Sequence, residues 1–112
     1  MHHQLEIRRG RPDVLRLTGR FGQEAAEALY DAVLALGAGS GVVLDLAGID
    51  WIGSSAIGCI VRLSVDHGPV VIRPSECVRR ALDLAEVSMF LSLCDSVEEG
   101  ASRLALAEGG RG

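Results

Sequence analysis

The chain has 112 residues, 48% of them hydrophobic and 23% charged, with a formal net charge of −4. That length suits one domain, and that composition lies far from the disordered regime. All eleven basic residues are arginine and no basic run is longer than Arg8-Arg9 or Arg79-Arg80, which excludes the electrostatic footprint of a DNA- or RNA-binding protein.

Leu5 and Ile7, then Val14, Leu15 and Leu17, form two short apolar runs separated by Gly10-Arg11-Pro12-Asp13. That turn chemistry predicts a β-hairpin. From Gln23 to Leu36 the apolar residues Ala25, Ala26, Leu29, Ala32, Val33 and Leu36 recur every three or four positions, and Gly37, Gly39 and Gly41 follow as stop signals. The spacing predicts an amphipathic helix.

Val42-Val43-Leu44-Asp45-Leu46 reads as a strand buried on both faces, and hence as the centre of a sheet. A helix is predicted to start at Ser54-Ser55 and to run through Cys59-Ile60-Val61-Arg62-Leu63-Ser64-Val65, a stretch apolar nearly all round and therefore expected to be mostly buried. Gly68-Pro69 ends it. Val70-Val71-Ile72 predicts another strand, and Pro74-Ser75 opens a third helix with Val78, Ala81, Leu82 and Ala85 on its inner face. Leu91-Ser92-Leu93 predicts a last short strand. Asp95-Ser96-Val97-Glu98 carries the pattern of a capping box leading into a helix through Val97, Ala101 and Leu104. The alternation β-β-α-β-α-β-α-β-α predicts an α/β domain over residues 1–108, with a small mixed sheet, and a frayed tail over 109–112.

Cys59, Cys77 and Cys94 are odd in number and follow no metal-ligand spacing, so buried free thiols are expected. The N-terminus lacks the basic and apolar regions of a signal peptide, and charges or glycines interrupt every apolar stretch. A cytoplasmic location without membrane insertion is expected.

The segment from Val42 through Asp45-Leu46 and Gly53-Ser54-Ser55-Ala56-Ile57-Gly58 resembles the sulfate transporter and anti-sigma factor antagonist (STAS) family. The hallmark of that family is a buried strand ending in Asp-Leu, a short turn, and Asp-Ser-Ser-Gly-Leu-Gly opening a helix. The likeness extends over nearly the whole chain, including Leu17-Thr18-Gly19 before the first helix and the Val70-Val71-Ile72 strand. It implies the STAS fold, with about five strands and about four helices. It also implies an anti-sigma factor antagonist, a protein-binding switch rather than an enzyme, with no cofactor. Its partners would be an anti-sigma factor serine kinase of the histidine-kinase-like ATPase fold, which phosphorylates the second serine of the motif, and a phosphatase that restores the active form. That serine corresponds to Ser55. The docking face would comprise Gly22, Gly53, Ser54, Ser55, Ala56 and Ile57.

The chain departs from the family pattern at Gly53 and Gly22, where the family carries acids, and at Ala56, where it carries glycine. Loss of both carboxylates weighs against phosphorylation by a typical partner kinase. It fits equally well a non-phosphorylated STAS subunit of an ABC-type lipid transporter, whose same surface would hold an ATPase subunit.

Simpler roles exist for each residue. Serine at a helix start caps an orphan backbone N–H without any regulation. Asp45 is either an acid near the switch or a partner for neighbouring backbone. Gly53 to Gly58 spells GxxxxG, yet Cys59 and Ile60 stand where a nucleotide loop needs Lys and Ser or Thr. A serine hydrolase built on Ser55 lacks the second glycine of a nucleophile elbow, which is Ile57 here. His67 reads as a solvated helix end, and Trp51 as core or rim.

Overall fold

The computed structural model describes residues 2–37 and 41–109. The elements are β1 (His3–Arg8), β2 (Asp13–Phe21), α1 (Gln23–Leu36), β3 (Val42–Ile52), α2 (Ser54–Asp66), β4 (Val70–Pro74), α3 (Glu76–Leu84), a 3-10 turn (Ser88–Phe90), β5 (Ser92–Leu93) and α4 (Val97–Gly109). The expected alternation is present in full. Gly39, one of the anticipated stop signals, and residues 110–112 of the anticipated tail lie outside the described residues. Gly109 closes α4.

The five strands lie in the order β1-β2-β3-β4-β5, with β1 antiparallel to β2 and the other pairs parallel. β3 is the central strand, and it runs on to Ile52, well past the predicted Leu46. Its second half pairs with β2 through Gly48, Ile49, Trp51 and Ile52, with register shifts near Arg16 and Gly19. Backbone pairing has extended a strand whose side chains there are mostly exposed, because the ladder needs only N–H and C=O groups.

Period-two alternation divides the strands between two cores. Leu15, Leu17, Leu44, Leu46 and Ile72 pack with α1, α2 and α3 on one face, whereas Val43 and Val71 pack with Cys94 and Leu104 on the α4 face. Complete burial of side chains such as Phe21, Leu44, Ile60 and Leu82 contributes about 1.5–3 kcal/mol each.

α2 differs from its sequence reading. Only Ala56, Cys59, Ile60 and Leu63 are buried, while Val65 is exposed. Apolar residues all round do not bury a helix that has the sheet on one side and water on the other. In α3, Val78 and Leu82 are buried as predicted, but Ala85 is the exposed C-cap. The cap of α3 forms as the sequence implies, whereas that of α4 uses Ser96 and Glu99, one residue later than the Asp95–Glu98 box read from the sequence. Ser75 Oγ accepts from Val78 N at 3.3 Å. Ser96 Oγ accepts from Glu99 N at 3.0 Å, while Glu99 Oε1 accepts from Asp95 N at 2.8 Å.

Candidate docking surface

The loops that follow β2 and β3 meet at one end of the sheet. Gly22 is the N-cap of α1 and Gly53 the N-cap of α2, and Gly53 N donates to Phe21 O at 3.0 Å, tying the two helix starts together. Trp51 packs beside both glycines, tightly at Gly53 and in ordinary van der Waals contact at Gly22. A Cβ on Gly53 would lie 3.0 Å from Trp51 Cη2, and one on Gly22 would lie 3.5 Å from Trp51 Cζ3. The indole therefore fills the space beside the two positions at which the STAS pattern carries acids. It is 43% exposed, a rim residue as expected, with the Arg20 guanidinium stacked on it. Adjacency of Arg20 and Trp51 has no signature in the sequence, because it arises from the shifted register of β2 against β3.

Ser54 and Ser55 occupy the first turn of α2 and are both exposed. Neither caps the helix. That overturns the capping role read for a serine at this helix start: the cap position belongs to Gly53, without a side-chain hydrogen bond, and Ala56 N and Ile57 N turn back to Gly53 O. Ala56 is fully buried, so its side chain faces the core and not the docking surface to which the motif assigns it. Ile57 is half-buried against that same core. Of the candidate docking residues, then, Gly22, Gly53, Ser54 and Ser55 come together at one end of the sheet, and Ile57 contributes an edge.

Ser55 opens into a groove of about 630 Å³ between α1 and α2. Gln23, Glu27, Tyr30 and Asp31 line it from α1, and Ser55, Gly58, Cys59 and Arg62 from α2, each set at the three- and four-residue spacing of one helix face. Cys59 lies at its buried floor, where its Sγ donates to Ala26 O at 3.4 Å. Burial pushes that thiol up to about 11, with the nearby Arg62 opposing. It is a protonated packing group and not a nucleophile. Cys94 is buried on the other face, whereas Cys77 is only half-buried, against the expectation for all three cysteines.

Two other residues singled out in the sequence, His67 and Asp45, lie away from the serines. His67 is the C-cap of α2, at the end opposite Ser55 and about 18 Å along the helix. Asp45 shares the sheet face of Val43 and thus of α4, away from α1 and α2. There it is 2% exposed, pairs with Arg16 at 3.1 Å and Arg73 at 3.7 Å, and accepts from Ala47 N at 3.3 Å. The cross-strand register Arg16, Asp45, Arg73 brings these charges together. Asp45 is thus a structural ion-pair centre.

No protein-family model and no curated protein matches the chain. Solved structures do. An anti-sigma factor antagonist from Mycobacterium paratuberculosis is 17% identical over 93% of this chain and 95% of that one, with a TM-score of 0.80. The unphosphorylated form of the anti-sigma factor antagonist SpoIIAA is 21% identical over 93% of this chain and 96% of that one, with a TM-score of 0.68. SpoIIAA in its phosphorylated form, described as a Bacillus cell fate determinant, is 19% identical over 92% and 99%, with a TM-score of 0.61. The five-stranded mixed sheet and its four helices are the STAS fold.

Proposed function

We propose that this chain, which has the fold of the anti-sigma factor antagonists, is itself such an antagonist: a non-enzymatic protein that docks onto a kinase-type anti-sigma factor and is released by phosphorylation at Ser55. The observation that carries this reading is the exposed Ser55 hydroxyl in the first turn of α2, on a surface that also holds Gly22, Gly53 and Ser54. The hydroxyl is not committed to capping, so modification need not disturb the helix. A neighbour of the same fold exists in phosphorylated and unphosphorylated forms, which supports the same kind of regulation here.

The physics of release follows from charge. A phosphate adds about 1.5 to 2 negative charges. At the start of α2 the free backbone N–H groups and the helix dipole favour that charge in the unbound chain. Inside a docked interface the same charge is desolvated beside the partner. A thousandfold loss of affinity corresponds to about 4 kcal/mol, within reach of one buried unpaired charge. A phosphatase then returns the chain to its binding form. The partner is of the histidine-kinase-like ATPase fold, and the described helices include none long and apolar enough to cross a membrane.

The glycines at 22 and 53, where the family carries acids and where Trp51 packs here, fit a second reading equally well: a STAS subunit held permanently by the ATPase of a lipid transporter. One experiment separates the two. The chain is isolated from its native cells with its partners, and the Ser54-Ser55 peptide is examined by mass spectrometry. A kinase partner, phosphate on Ser55, and affinity reduced far more by Ser55→Asp than by Ser54→Ala are expected. Equal affinities for the two variants would sink the switch, and a stable ATPase partner with an unmodified peptide would establish the transporter reading.

A further inference from the structure

We infer that Arg62 is the residue that receives the phosphate on Ser55, a regulatory contact within α2 that rests on the reading of Ser55 as the modified residue. Ser55 and Arg62 line the same groove and are seven residues apart, which on an α-helix is two turns and one face, about 10.5 Å along the axis. Helical side chains lean toward the N-terminus, so Arg62 leans toward Ser55. Between them lies Gly58, where even an added Cβ would meet nothing within 4 Å. The helix face separating the two side chains is bare.

Arg62 is available to move. It is exposed, it forms no ion pair among the described residues, and its guanidinium carbon stands 5.4 Å from the centroid of Tyr30. Tyr30 is half-buried against the core, and a solvent-exposed guanidinium resting on the outer side of such a ring is held weakly. A dianionic phosphate offers charge-assisted, bidentate hydrogen bonds that are stronger and specific to arginine geometry. Across the groove, Glu27 and Asp31 repel a phosphate, so Arg62 is the one cation among the groove-lining residues that opposes them. Modification therefore draws Arg62 off Tyr30 toward the α2 N-terminus. The face a partner meets changes its arrangement as well as its charge.

The test uses the full chain with phosphoserine incorporated directly at position 55, so that no kinase is required. The second ionisation of the phosphate is followed by phosphorus-31 NMR. A guanidinium in contact favours the dianion, so Arg62→Gln should raise the midpoint by about half a pH unit or more. Arg62→Lys should keep much of the lowering. Gly58→Leu, which places a side chain between the two groups, should raise the midpoint as Arg62→Gln does. The Arg62 Nε–H resonance should shift between the Ser55 and phosphoserine forms. Equal midpoints in the parent and Arg62→Gln chains overturn the assignment, whatever the phosphate does to docking. A midpoint raised by Arg62→Gln, together with partner binding indifferent to the phosphate, would keep the contact and overturn the switch.

Discussion

Arg20 stacks on Trp51, its guanidinium carbon 4.0 Å from the ring centroid, and the indole beneath it packs beside Gly22 and Gly53. The pair converts what the STAS pattern makes an acidic edge into an aromatic and cationic one. Tryptophan and arginine are the side chains that most often dominate protein interfaces, so this edge has the composition of an anchor.

The contact makes residues 51 and 53 energetically coupled. Gly53→Asp supplies an N-cap carboxylate to α2, a gain of a few tenths of a kcal/mol over glycine, but its Cβ must displace the indole. In a Trp51→Ala background that displacement is absent. A double-mutant cycle by urea denaturation should therefore give a coupling of about 0.5–1 kcal/mol, with Gly53→Asp more favourable in the Trp51→Ala chain. Additive effects would mean that the indole yields freely.

Asp45 and Ser55 belong to opposite sides of the sheet. Asp45→Ala removes the buried partner of Arg16 and Arg73 and of Ala47 N, and should cost about 2 kcal/mol of stability. The cost is modest because Arg16 and Arg73 are partly solvated and can rehydrate. Partner affinity, measured where the variant remains folded, should be unchanged. A large loss of affinity would place Asp45 in the docking surface.

The capping box at the start of α4 is a reciprocal pair, Ser96 with Glu99 N and Glu99 with Asp95 N. Ser96→Ala should cost about 1 kcal/mol, and Glu99→Gln less, because the amide oxygen still accepts. Chemical denaturation of both variants checks the order.

Cys59 gives the fold an alkaline limit. Its folded pKa of about 11 is above its unfolded value of about 9. The unfolded chain therefore loses this proton first, and the contribution is intact below pH 9 and lost as pH rises toward 11. The loss is on the order of 2 kcal/mol. Stability followed from pH 8 to pH 11 should fall more steeply in the parent than in Cys59→Ala. Iodoacetamide at pH 8 should modify half-buried Cys77 well before Cys59.

The sequence by itself determined the order of elements, the boundaries of α1, the central place of β3 and the cap at Ser75. Each follows from local periodicity or from a side chain bonding to backbone three residues away, and such short-range constraints are written in neighbouring letters. The Ser54-Ser55 motif was legible for the same reason. Only the tertiary structure decided which face each residue meets. It gave the cap of α2 to Gly53, buried Ala56, left Val65 in water, placed Asp45 on the α4 face between two arginines from neighbouring strands, and laid Trp51 beside Gly22 and Gly53. These outcomes depend on sheet register, on bulges in the pairing of β2 with β3, and on which side of a helix the sheet occupies. A one-residue change in register exchanges the faces of a strand, and no single segment of the chain encodes that choice.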